Sequence, residues 1–208
     1  MTKTAVASDA NPAQLGAPVR FEASVRVPDP GAGIPTGAVT FLNGKVVLGI
    51  ANLDGAANAT LTGIVLPVGS SNITAEYGSD ANFRTSKSPT LIQRVEALPV
   101  VQFSGSSVKV VETVGTVALV VQRVGSAIGP VSVTYASANG SANAPDDFTA
   151  VSGTLNWAAG DSASKTIVFP IVADALPEPD ETFTVTLNSP TGATLGSIPT
   201  VTVTIRKN

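Results

Sequence analysis

The sequence predicts an all-β chain of two tandem antiparallel β-sandwiches. Three observations carry that expectation. Apolar and polar residues alternate in short runs from end to end, the period of half-buried strands. Gly, Pro, Asn, Asp and Ser break these runs at intervals of roughly 8–12 residues, the spacing of sandwich strands. No stretch carries the 3.6-residue periodicity of an amphipathic helix. The chain has 208 residues, which suits two domains of about 100 residues each.

The first strands follow in order. "VRFEASVRV" at 19–27 places Val19, Phe21, Ala23, Val25 and Val27 on one face. "AVTFLNGKVVLGI" at 38–50 sets Asn43-Gly44 between two apolar runs, a type I′ hairpin signal. "NATLTGIVL" and "SNITAEYG" continue the alternation. Strand-like text of the first half ends near Val95, a short Ala-Leu-Pro link follows, and a new strand begins at Val100. We therefore expect domains at 1–96 and 97–208, placed end to end, with limited freedom between them. The second half supplies "TVALVVQRV" (116–124), "PVSVTYAS" (130–137), "GTLNWAAG" (153–160), "KTIVFPIVAD" (165–174), "TFTVTLNS" (182–189) and "TVTVTIRK" (200–207). In the fifth of these, Phe183, Val185 and Leu187 share a face opposite Thr182, Thr184 and Thr186.

Composition excludes several function classes. A 43% apolar content with 13% charge supports packed cores rather than disorder. Cysteine and histidine are absent, which removes thiol catalysis, a structural zinc site and a Ser-His-Asp triad. The net charge of −3 and the lack of a Lys/Arg cluster argue against a nucleic-acid partner. No apolar run approaches 18 residues, so no membrane span is expected in this fragment. Trp157 and Tyr135 fit strand faces and read as core rather than as a sugar platform. Asn58-Ala59-Thr60, Asn72-Ile73-Thr74 and Asn139-Gly140-Ser141 match the glycosylation triplet, a short pattern that arises by chance.

The acidic residues are unevenly placed. Residues 1–96 hold seven acids and seven bases, whereas residues 97–208 hold eight acids and five bases. "DALPEPDETF" at 174–183 packs Asp174, Glu178, Asp180 and Glu181 into one loop. Like charges repel, so this loop is either a solvated turn or the seat of a cation. A glycosidase-like pair at Glu178 and Glu181 needs a defined separation and a sugar cleft, which a short loop at a sandwich end does not offer; the chain reads as not an enzyme. In the same way, Asp146-Asp147 ahead of Phe148 fits a turn, and Glu112 fits a charge at a strand end.

The first half resembles a bacterial immunoglobulin-like repeat of large surface proteins. "GAPVRFEASV", "PTGAVTFLNGKVVLGIANLDGAANATLT" and "GSSNITAEYGSDANFRTSKS" carry the likeness, and Tyr77–Phe83 is similar to that family's Y-G-D-x-N-F segment with one inserted Ser. Asp80 and Asn82 then read as hairpin residues. The second half resembles a Calx-β domain, the module of sodium–calcium exchanger regulatory regions, integrin β4 and many bacterial surface proteins. The text is "VVETVGTVALVVQRVG", "DDFTAVSGTLNWAAGD", "DALPEPDETFTVTL" and "TVTVTI". Both resemblances imply immunoglobulin-like sandwiches. The second implies a Ca²⁺ site at one end, with ligands at Glu112, Asp147, Asp174, Glu178 and Glu181 and the Leu176 carbonyl. Hard carboxylate and carbonyl oxygens are what Ca²⁺ takes, about six to eight of them. Pro177 and Pro179 stiffen the loop by fixing φ. Two positions depart from the pattern: Ala173 stands where well-filled members carry a second Asp, and Arg206-Lys207-Asn208 stand where they carry acids. The resemblance thus implies one or two ions held weakly, with Kd around 10⁻⁴–10⁻³ M.

These readings give the functional expectation. The chain is a non-catalytic structural and interaction fragment of a large secreted or cell-surface bacterial protein, in adhesion or spacing. Met1-Thr-Lys-Thr lacks a signal-peptide core, so export would need a leader outside this fragment. Expected partners are other domains of a larger parent chain and a cell-surface or polysaccharide ligand. The alternative is a pair of accessory modules that bind polysaccharide or position the catalytic domain of a secreted enzyme.

Overall fold

The computed structural model describes residues 1–174 and 179–206. Contacts divide the chain into two compact units, Met1–Ala97 and Leu98–Asn208. The first unit contains β1 (Lys3–Ser8), β2 (Ala13–Gln14), β3 (Val19–Arg26), β4 (Ala38–Asn43), β5 (Val46–Asn52), β6 (Asn58–Ile64), β7 (Gly69–Tyr77), β8 (Ser86–Lys87) and β9 (Leu91–Glu96). One sheet runs β1-β3-β6, the other β2-β9-β7-β4-β5, with β8 paired to β7. Their inner faces close on Val19, Phe21, Ala23 and Val25 of β3, Val39 and Phe41 of β4, and Ile73, Ala75 and Tyr77 of β7. The alternation of "VRFEASVR" is thus realised, with Arg20 and Glu22 facing water; Val27 falls outside the strand.

The β4–β5 turn differs from the expectation. Asn43 pairs with Val46, so the two loop residues are Gly44 and Lys45. Of these only Gly44 has a positive φ, 60°. A type I′ turn needs positive φ at both positions, whereas a positive φ at the first alone is the type II′ requirement. Asn43 is held in the strand by other work: its Oδ1 accepts from Asn72 N–H at 3.1 Å, and its Nδ2 donates to Ser71 Oγ at 3.2 Å.

Asp80 organises the loop after β7. Its Oδ2 accepts from Thr36 N–H and Oγ1–H, both at 2.8 Å, and its Oδ1 accepts from the Asn82 and Phe83 N–H groups at 2.8 and 2.7 Å. The Thr36 amide leads these donors in holding the carboxyl well below its ordinary 3.8. A carboxyl depressed in the folded state stabilises above its unfolded pKa and loses that contribution as pH falls further. We expect the first unit's Tm to drop below about pH 4 and the Asp80→Asn protein to drop less steeply, as read by calorimetry from pH 6 to 2. Equal slopes would mean that Asp80 carries none of the acid sensitivity.

The second unit contains β10 (Val100–Phe103), β11 (Ser107–Val111), a 3-10 turn (Glu112–Val114), β12 (Thr116–Val124), β13 (Val131–Asn139), β14 (Ser152–Trp157), β15 (Lys165–Pro170), β16 (Glu181–Thr191), β17 (Thr194–Leu195) and β18 (Thr200–Arg206). The sheets run β15-β12-β10-β17 and β11-β18-β16-β13-β14. Pairing is antiparallel except for β10 with β17 and β11 with β18. Val117, Leu119, Val121, Ile167 and Phe169 face Val133, Trp157, Phe183, Val185, Leu187 and Val203 across the core. Trp157 is 1% exposed and donates its indole N–H to the Ala163 carbonyl at 2.7 Å, so it is core rather than a sugar platform. Tyr135 packs partly buried against the same core. Among the described residues no helix is long and apolar enough to cross a membrane.

Candidate functional site

Strand register brings the second unit's acidic residues to one end. Val111 of β11 lies opposite Arg206 of β18, and Ile205 opposite Glu181 of β16. Glu112, one residue past Val111, therefore lies at the same end of the sheet as Glu181, with β18 between their strands. The chain leaves β11 through the 3-10 turn, and Gly115, with φ 78°, turns it into β12. A residue with a Cβ would be strained at that φ. The Gly115 carbonyl then accepts from Ile171 N–H at 2.9 Å, which ties the turn to the segment leading into the acidic loop.

Asp147 arrives from the other side. Phe148 is fully buried and stacks on Phe183 with ring centroids 4.0 Å apart and planes 8° from parallel. Phe148 also bridges to Ile171, and Val172 N–H donates to the Asp147 carbonyl at 2.9 Å. The preceding loop is pinned to the start of β16. Ala142 N–H donates to the Thr182 carbonyl, and Thr182 N–H donates to Ser141 Oγ, both at 2.9 Å. Gly140 permits this approach, since a Cβ there would overlap the Thr182 carbonyl. The Asn139 amide is spent inside the loop: Oδ1 accepts from Ala144 N–H at 3.2 Å, and Nδ2 donates to Asn143 Oδ1 at 3.3 Å. The triplet Asn139-Gly140-Ser141 is thereby a loop fastening.

Glu112, Asp147 and Glu181 line one cavity with Val172, Pro179, Ile205 and Arg206. Its volume is about 10 Å³, room for roughly one water-sized body. Two carboxylates already accept from the backbone: Glu112 Oε1 from Asp174 N–H at 2.9 Å, and Asp147 Oδ2 from Asn143 N–H at 2.6 Å. Asp174 thus meets the cavity wall through its main chain. Leu176 and Glu178 lie outside the described residues. Asp146 does not line the cavity.

In donor chemistry the three lining acids fit a hard divalent cation, offering only oxygen. Among the described residues, no three acidic side chains are drawn together tightly enough to hold a metal by themselves. The described lining thus supplies carboxylate oxygens at one end of the sandwich without itself forming a metal centre. Sequence reasoning passed over Ser141 and Asn143, whose role is to fasten the Asp147 loop. Their small polar type is common throughout this chain and gave no signal.

The comparisons with known proteins concern the family and fold of the two units. The family described as "Bacterial Ig-like domain (group 3)" matches residues 6–96, and the family described as "Calx-beta domain" matches residues 96–207. The Adhesion G-protein coupled receptor V1 of Danio rerio is 40% identical over 95 residues, covering 45% of this chain. The match spans 2% of the receptor's length. The crystal structure of the apo-form Calx CBD1 domain superposes with a TM-score of 0.52 at 27% identity, covering 53% of this chain and 98% of that one. The calcium binding domain CBD12 of CALX1.1 gives a TM-score of 0.49 at 28% identity, covering 51% and 45%.

Proposed function

The chain belongs to the Calx-beta domain family through residues 96–207, behind a bacterial Ig-like domain, and from that premise we propose a structural and interaction role on a bacterial cell surface. In this reading the chain is a non-catalytic segment of a larger extracellular protein. Its sandwiches space and present other domains of the parent chain, and Ca²⁺ stiffens the acidic end of the second unit. The observation that carries the calcium reading is the register that brings Glu112, Asp147 and Glu181 around one water-sized cavity. Glu112 and Asp147 are already oriented by backbone N–H donors, so two of the three side chains hold defined positions before any ion arrives. The bound ion supplies positive charge against the crowded carboxylates. The adhesive setting draws on the family of the first unit and on the zebrafish relative, an adhesion receptor by name.

An ion that binds only the folded state stabilises it by about 2.7 kcal/mol at 100 times its Kd. For a domain of this size that corresponds to a Tm rise on the order of 10 °C. We expect the second unit's transition, followed by calorimetry, to rise in 10 mM Ca²⁺ relative to chelator, and to rise far less in Mg²⁺. The Asp147→Ala/Glu181→Ala double variant loses the rise. A wild-type transition indifferent to Ca²⁺ would leave the acidic end as a solvated turn.

A further inference from the structure

We propose that the second unit carries tension along the chain: its early strand β11 and its last strand β18 form a shear clamp. The use of such a clamp rests on the reading above of a chain that spaces other domains; the resistance itself stands on the register. β11 and β18 are parallel, from Ser107 opposite Thr202 to Val111 opposite Arg206. The chain enters the pair at Ser107 and leaves it at Arg206, at opposite tips of the ladder. Traction along the chain therefore draws the two strands past each other along their own axes. The evenly spaced rungs of a parallel pair then share the load and must break together. Were the strands antiparallel, both would leave at the same tip and the rungs would open one at a time.

The surroundings decide which pair gives way. β18 is backed on its other side by β16, from Glu181 opposite Ile205 to Thr186 opposite Thr200, and it buries Val201, Val203 and Ile205 in the core. Among the described residues β11 is an edge strand with β18 as its one neighbour, and its Val108 and Val110 pack partly buried against the core. β11 against β18 is thus the pair that must slide. A further rung heads the ladder, where Thr202 N–H donates to the Ser106 carbonyl at 3.0 Å. The first unit repeats the arrangement with a different sequence. Its β2 runs parallel to its last strand, β9, with Ala13 opposite Val95 and Gln14 opposite Glu96, and Leu15 N–H donates to the Glu96 carbonyl at 2.8 Å. Two units of different families thus set an early strand parallel to the last one.

The test pulls single molecules of the full chain by optical tweezers. The sequence has no cysteine, so introduced cysteines are unique handles. Ser107→Cys with Arg206→Cys loads the pair in shear, whereas Val111→Cys with Arg206→Cys pulls on residues that face each other and unzips it. All three positions are exposed, so the two variants should melt at the same temperature, which separates mechanical from thermal stability. Unfolding under force reads the barrier along the pulled direction rather than the equilibrium stability. At one pulling speed the shear variant should yield at a force about two- to fivefold higher, a ratio bounded by the rungs that share the load. Equal forces in the two directions would overturn the clamp and leave the spacing role, which needs no tension, standing. A shear force several times the unzipping force supports the clamp whether or not the unit takes up Ca²⁺.

Discussion

Replacing Phe148 by Ala should cost the second unit about 3–5 kcal/mol, the range for deleting a fully buried aromatic ring. Phe148 is 0% exposed and is the middle link between the acidic end and the core. Its ring stacks on Phe183 of β16, and Phe183 in turn meets Phe169 of β15 at 5.9 Å and 54°. The two outer rings thus come from a loop and from one sheet, and Phe183 from the opposite sheet. Removing the first ring leaves a cavity at the end of the sandwich and frees the segment that fixes Asp147. The calcium-induced rise should therefore vanish together with the stability. Trp157 is the chain's sole tryptophan and is buried in this unit, so urea unfolding followed by its fluorescence reports the unit by itself. Phe148→Leu, which keeps most of the apolar volume, should cost markedly less and keep part of the calcium response. A loss under about 1 kcal/mol for the Ala variant would mean that the neighbours collapse into the space.

What the sequence made legible depended on whether a residue's own neighbours decide its state. β12 and β16 were legible because "TVALVVQRV" is an apolar, β-branched run of strand length and "TFTVTLNS" alternates strictly, both properties of the strand itself. β2, β8 and β17 are two residues long, too short to show a period; they exist because a partner strand lies beside them. The hairpin at Asn43-Gly44 was legible as a hairpin but off by one residue, since Asn43 is claimed by Ser71 and Asn72 across the sheet. At the acidic end, Glu112, Asp147 and Glu181 came from the family resemblance, while their convergence on one cavity came from a register no spacing rule supplies. Asp174 adds a main-chain contact that the sequence did not show, donating its backbone N–H to Glu112. Arg123 was the opposite case, a signal present and unread. Val117, Leu119 and Val121 occupy the inward phase of β12, and the same phase reaches Arg123, so the alternation itself placed a charge among the buried residues.

That charge leads to the second large effect, a loss of about 3–5 kcal/mol for Arg123→Met, the range for breaking a buried charged network by removing one partner. Arg123 is 5% exposed. Nε and one terminal nitrogen donate to the Ser126 carbonyl at 3.1 and 2.7 Å. The same terminal nitrogen donates to the Gly129 carbonyl at 2.8 Å, and the other to the Asp161 carbonyl at 2.9 Å. One side chain thus fastens the turn after β12 to the turn after β14. Burying a guanidinium is costly, and replacing a buried ionic group together with all its partners by apolar residues is often neutral or stabilising. Here the partners are main-chain carbonyls and cannot be replaced. Met fills much of the stem's volume and leaves the carbonyls of Ser126, Gly129 and Asp161 without these donors, so desolvation without compensation decides the sign. Lys should recover only part of the loss, because an ammonium at one point cannot span three carbonyls as the planar fork does. Urea unfolding read from Trp157 should therefore rank wild type above Lys above Met. A Met variant within about 1 kcal/mol of wild type would show that water replaces the guanidinium at these carbonyls.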